Sequence, residues 1–133
     1  MNSDDIGKLV LRLTLGVLIL FHGVHKLLTG IDPIRNMIVA HHLPDFLAYG
    51  VYVGEVFAPL LVIFGIFSRI GGLLIAVNLV VAILLVHMGT LFGINEAGGY
   101  GLELQAFYLF SAIAVSLTGA GRISLGGADG RFN

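Results

Sequence analysis

Ionisable side chains stand inside segments that are otherwise apolar. His22 and Lys26 are four residues apart and therefore share one face of a helix, and Glu55 lies in a second apolar segment. These side chains offer hydrogen-bond donors, a cation and a proton acceptor, a set suited to binding a small polar group and relaying a proton. An isolated charge near the centre of a bilayer costs about 3 kcal/mol on insertion scales, so we expect Glu55 to have a proton or a partner.

Two more apolar segments carry further candidates at what we expect to be the same depth. His87 stands late in the third segment and Glu103 early in the fourth, where the two are a plausible pair. The candidate catalytic residues are His22, Lys26, Glu55, His87 and Glu103. The candidate ligand contacts are Phe21, Tyr52, Gln105 and Phe107.

The same residues also admit a structural interpretation, in which they form an ion-pair network that fixes the register of the helices. Asn78 is interpreted as an interhelical hydrogen-bonding residue rather than a ligand. Pro59 has no N–H, so it should leave the carbonyl of Glu55 without its helical donor and bend the helix there. That carbonyl would either bind a ligand or be satisfied by a neighbouring side chain.

The composition places the chain among membrane proteins. Of its 133 residues 57% are hydrophobic and 11% are charged. The net charge of −1 gives no basis for binding nucleic acid. The absence of cysteine excludes disulfides, thiol catalysis and iron–sulfur ligation within the chain. No metal site is expected either, because His22 and His25 diverge on a helix and no histidine occurs in the fourth segment.

Four apolar runs are long enough to cross about 30 Å of hydrocarbon. They predict an all-α, integral membrane four-helix bundle that forms a single transmembrane domain over residues 1–133. The first run is too long for a secretion signal and lacks a small-residue cleavage site. The predicted spans are 6–28, 49–67, 70–92 and 101–117.

The distribution of lysine and arginine predicts the orientation. Five of the seven lie on the side of the N-terminus, whereas Lys26 and Arg35 lie on the other. Both termini are therefore expected in the cytoplasm. Arg12 and Arg69 are expected to extend their side chains to the cytoplasmic head groups.

The linker between the first two spans predicts a short amphipathic helix on the outer face. Asp32 is read as an N-cap followed by Pro33 in the first turn, and apolar residues then recur at helical spacing from Ile34. Leu43 and Pro44 should end the helix. This element is either a lid or an interfacial connector.

Three stretches resemble the DoxX family of small four-helix membrane proteins, and the resemblance covers nearly the whole chain. They are H-G-V-H-K-L at 22–27, G-E-V-F-A-P-L-L-V-I-F-G-I-F-S-R at 54–69 and T-G-A-G-R-I-S-L at 118–125, together with the late histidine His87. The family often continues with aspartate after the last stretch, where this chain has Gly126.

The resemblance implies an oxidoreductase component of the cytoplasmic (inner) membrane, linked to quinones or phenols. The site would bind a quinone-like ligand, with no cofactor held by the chain itself, so electrons would come from a redox partner protein or pass between bound substrates. The alternatives are a non-enzymatic scaffold for soluble redox partners and, less favoured, a small-solute transporter. Self-association is left open.

Overall fold

The computed structural model describes residues 2–87, 93, 94, 96 and 98–133, with the backbone alone at 86 and 87. Within these residues the chain is all helical, with one isolated backbone bridge between Ile94 and Tyr100. The helices are α1 (Ser3–Thr29), α2 (Asp32–Ala40), α3 (Asp45–Phe64), α4 (Ser68–Ala82, continued by a π-helical turn at Ile83–His87) and α5 (Glu103–Thr118).

Three of the described helices are long and apolar enough to cross a membrane: α1, α3 and the segment Ser68–Leu85 of α4. Helix α5 is apolar but has only 16 residues. The second predicted span, 49–67, begins earlier, at Asp45, and ends at Phe64 because Gly65 takes the left-handed conformation (φ 71°). Residues 88–92, the end of the third predicted span, lie outside the described residues.

The helices pack in a closed order around one apolar core. Helix α1 contacts α3 and α5, and α4 contacts both α3 and α5. The core is aliphatic at its centre, where Ala58, Val62, Ile75, Ala112 and Val115 are completely buried. Many large apolar side chains face outward instead, as expected of helices with a lipid-facing surface.

The predicted amphipathic helix in the linker is present as α2. Its apolar side chains Ile34 and Ile38 belong to a second, smaller cluster together with Ile31 and Ala48. Asp32 is not the N-cap: it is the first helical residue, and its carboxylate accepts a hydrogen bond from the Arg35 guanidinium at 3.3 Å. Arg35 also donates to the Tyr49 hydroxyl at 2.6 Å, which ties α2 to the start of α3.

The opposite end of the bundle is closed by arginines and by the segment after α5. The expectation that Arg12 reaches lipid head groups is wrong, because its side chain is buried (1% exposed) and donates to the carbonyls of Val62, Ile63 and Ile123. The last carbonyls of α3 have no N–H donor within the helix, and the Arg12 guanidinium supplies the missing donors.

Arg69 closes the neighbouring helix end in the same way. Its guanidinium donates to the carbonyls of Ser116, Leu117 and Thr118 at the end of α5, rather than extending to head groups as predicted. The Asn133 side chain accepts from the Ser68 N–H at 3.0 Å and so caps the start of α4. This end of the bundle is therefore fixed by directional hydrogen bonds.

Replacing Arg12 with methionine keeps the length of the side chain but removes every donor. We expect the free energy of unfolding to fall by about 3 kcal/mol, because buried carbonyls lose their partners. Thermal unfolding in detergent measures the loss. The control is Arg122→Met, since the Arg122 side chain is exposed. Equal stability of the two variants would contradict the capping role of Arg12.

Candidate functional site

An ion pair between α1 and α3 forms the centre of the candidate site. The Lys26 ammonium donates to both carboxylate oxygens of Glu55, at 2.6 and 2.7 Å. Glu55 is buried, with 7% of its surface exposed. Lys26 thus supplies the partner that Glu55 was predicted to need. The pair crosses the bundle at a level where its surroundings are mainly aliphatic.

The backbone around Glu55 is irregular, as Pro59 predicts. Val53–Phe57 forms a π-helical turn directly before the α-helical segment that contains Pro59. The Glu55 carbonyl faces Gly23 on α1, where a Cβ atom would lie 2.0 Å from the carbonyl oxygen. Glycine at this position therefore lets α1 approach α3 closely enough for Lys26 to reach the carboxylate.

Asn78 on α4 joins the pair and completes a polar triad, which we define as Lys26, Glu55 and Asn78. Its side-chain NH₂ donates to the second carboxylate oxygen of Glu55 at 3.2 Å. A Cβ atom at Gly54 would lie 2.4 Å from the Asn78 Cβ, so α3 and α4 also need a glycine at their closest approach. The carboxylate fixes the orientation of the amide, because it accepts only from the NH₂.

A cavity of about 470 Å³ lies on one side of the triad, under α2 and between α3 and α4. Its walls are aliphatic apart from the triad, and α2 closes it with Ile34, Met37 and Ile38. The volume falls within the range of small-molecule sites, which are mainly apolar with a few convergent polar groups. We call it the larger cavity.

A second cavity, of about 120 Å³, lies on the other side of the triad, between α1, α4 and α5. His22, Gln105 and Tyr108 line it, and the His22 and Tyr108 rings meet edge to face with centroids 6.3 Å apart. The triad lines both cavities and so forms the wall between them. We call this one the smaller cavity.

The structure brings together some of the predicted site residues and separates others. Lys26 and Glu55 are in contact, and His22 and Gln105 lie beside them in the smaller cavity. Phe21 and Phe107 are directed outward, 70% and 71% exposed. The Tyr52 hydroxyl donates to the Lys26 carbonyl at 3.4 Å, and Tyr52 lines neither cavity.

The remaining two predictions, His87 and Glu103, concern the ends of α4 and α5. The side chain of His87 lies outside the described residues, so its pairing with Glu103 stays a prediction. Glu103 is exposed and is the first residue of α5, where a carboxylate interacts favourably with the helix dipole.

Two residues were missing from the predicted site. The sequence predicts Asn78 as an interhelical hydrogen-bonding residue, which the structure confirms, but not as a member of the site around Glu55. Tyr108 is absent from the predicted site, although it lies three residues after Gln105 and therefore on the same face of α5. The spacing from Gln105 is the signal that points to Tyr108, whereas the contact of Asn78 with Glu55 depends on how α4 packs against α3.

The chemistry available here is hydrogen bonding and proton transfer. Among the described residues no group of three or more His, Asp or Glu side chains is arranged to hold a metal ion. The Lys26 ammonium has three N–H donors, of which two go to Glu55. The Asn78 NH₂ group also donates to Glu55, so the Asn78 amide oxygen remains available as an acceptor. A ligand hydroxyl fits such a donor and acceptor at the end of an apolar cavity.

Comparison with known proteins gives two matches. The model of the DoxX family matches residues 7–88, which include most of α1, all of α2 to α4 and the whole triad. A protein of Bacillus subtilis (strain 168) named "Putative oxidoreductase CatD" is 32% identical over 124 residues, covering 93% of this chain and 87% of the relative. No solved structure matches the chain significantly.

Gly23→Ala tests the close approach of α1 and α3. The added methyl group would displace the Glu55 carbonyl, so we expect the free energy of unfolding to fall by about 2 kcal/mol. Gly7→Ala on the same helix is the control, since a Cβ there meets nothing within 4 Å. It should stabilise the protein by up to about 1 kcal/mol through helix propensity. Thermal unfolding measures both, and equal shifts would refute the tight contact.

Proposed function

The chain belongs to the DoxX family, and on that premise we propose that it is a membrane oxidoreductase component that binds a quinone-like or phenolic molecule in the larger cavity. The name of the Bacillus subtilis relative supports the reaction class. The observation that carries the ligand assignment is the larger cavity itself, which is aliphatic over most of its wall and polar only at the triad.

The shape of this cavity matches a molecule with an apolar body and one polar end. Aliphatic side chains from α2, α3 and α4 surround the body, and burial of that apolar surface drives binding. Lys26 donates to the ligand oxygen with the N–H that Glu55 leaves over, and the Asn78 amide oxygen accepts from a ligand hydroxyl. Glu55 is the group that takes or returns the ligand proton.

We propose that electrons enter and leave through other molecules. The chain has no cysteine, and no group of three or more His, Asp or Glu side chains among the described residues is arranged to hold a metal ion. We propose that a redox partner protein, or a second bound substrate, exchanges electrons with the ligand. The protein then contributes binding, orientation and proton transfer.

We further propose a bilayer location with both termini on the cytoplasmic side. The three apolar helices and α5 cross as a four-helix bundle, and the arginine-rich end lies inward. The triad and α2 then lie in the outer half, with α2 at the interface. A hydrophobic ligand would enter the larger cavity from the lipid, beside α2.

Glu55→Gln removes the carboxylate charge and keeps the shape of the side chain. We expect the affinity for decylubiquinone to fall about tenfold, because Lys26 loses its ion pair and no longer presents its N–H groups in a fixed position. Fluorescence titration of the detergent-purified protein measures the affinity. Glu96→Gln is the control, since Glu96 is exposed.

Unchanged affinity of Glu55→Gln would refute the ligand site. In that case the triad would be a structural network, and the non-enzymatic scaffold for soluble redox partners would become the better explanation. Partner proteins that still co-purify with Glu55→Gln would show that the variant retains the scaffold function. Loss of these proteins would show that it has lost the scaffold function.

Val81→Phe tests whether the larger cavity receives the body of the ligand. Val81 lines that cavity, whereas its neighbour Val80, which is exposed to a similar degree, does not. The larger ring should occupy part of the cavity and weaken decylubiquinone binding by about tenfold, which is about 1.4 kcal/mol. Val80→Phe is the matched control and should bind like the unmodified protein. Equal affinities of the two variants would place the ligand outside this cavity.

A further inference from the structure

The triad separates two cavities that differ in size and in polarity. The larger cavity is aliphatic and has the size of an organic molecule, whereas the smaller one combines imidazole, amide and phenol groups with aliphatic side chains. A water molecule occupies about 30 Å³ in the liquid, so about 120 Å³ gives room for a few water molecules. Glu55 lines both cavities and is therefore accessible from either side.

We infer that the smaller cavity is a water-filled proton compartment, connected through Glu55 to a hydroxyl-bearing ligand in the larger cavity. The inference rests on the proposed function and names the ligand class, a phenol or hydroquinone. A carbonyl oxygen only accepts, but a hydroxyl both accepts from Lys26 and donates to the carboxylate or to Asn78. The arrangement thus favours the hydroxyl form.

The proton step is balanced within the site. The O–H bond of the ligand breaks, its electron pair stays on the ligand oxygen, and an O–H bond forms on Glu55. Lys26 then pairs with the phenolate instead of the carboxylate, so the net charge of the buried site does not change. The Glu55 O–H bond next breaks, and the proton passes through the water of the smaller cavity to the His22 ring. No electron moves in either step.

The groups that face this route come from four helices. Glu55 on α3 is met by Lys26 from α1 and by Asn78 from α4. His22 on α1 faces Tyr108 and Gln105 from α5. The nearest further acid along α5 is Glu103, which is exposed and lies two residues before Gln105. His22 is itself exposed, and we propose that it passes the proton on to the outer interface.

His22→Gln tests the route, and His25→Gln is its matched control. Both histidines are exposed and lie on α1, but His25 is outside the lining of the smaller cavity. The probe is para-nitrophenol, whose phenolate absorbs visible light, mixed rapidly with the full chain in weakly buffered detergent below the pKa of the probe. A pH indicator in the solution records the released proton.

We expect the His22→Gln protein, saturated with the probe, to release the proton roughly a hundredfold more slowly. His25→Gln should release it at the normal rate. Gln105→Leu, which removes polar lining at similar size, should slow the release as well. Normal rates in both His22→Gln and Gln105→Leu, with the probe bound, would overturn the proton compartment and leave the ligand site standing. Absence of probe binding to the unmodified protein would overturn both.

Discussion

The Lys26–Glu55 ion pair joins α1 to α3 in largely aliphatic surroundings, and the local geometry of both helices follows from it. A carboxylate in such a place needs a cation within hydrogen-bonding distance, which requires the two helix axes to come close. Gly23 permits that approach, and the π-helical turn before Pro59 lies at the same place. Asn78 then satisfies the second carboxylate oxygen and ties α4 to the pair. Three helices thus share one polar contact.

Features that depend on residue spacing within one helix could be predicted from the sequence. Features that depend on how one helix is rotated against its neighbours could not. The α2 helix, the common face of His22 and Lys26 and the irregularity at Pro59 all follow from local pattern. The outward direction of Phe21 and Phe107 does not, because an aromatic residue in an apolar helix can face lipid or a cavity with equal ease. Asn78 became central only when α4 was placed against α3.

Arg12 shows a second limit of reading a membrane helix from its sequence. A charge near the end of an apolar run is normally placed in the head groups, since that position costs least. The sequence pattern does not reveal the alternative position for the guanidinium, inside the bundle. Gly65 ends α3 in the left-handed conformation, and the segment after α5 brings the Ile123 carbonyl to the end of α3. Carbonyls from two distant parts of the chain therefore form the binding site of the Arg12 guanidinium, and this site exists only once the chain has folded.

An ion pair is an expensive way to hold two helices together, and this supports the function that we propose for the triad. Well-packed apolar residues of similar volume often replace a buried pair without loss of stability. Here the opposite end of the bundle already supplies directional bonds through Arg12 and Arg69. The triad also leaves donor and acceptor capacity unused and lies between an organic-sized cavity and a water-sized one. In the function that we propose, the triad passes a proton between the two cavities, which an aliphatic wall could not do.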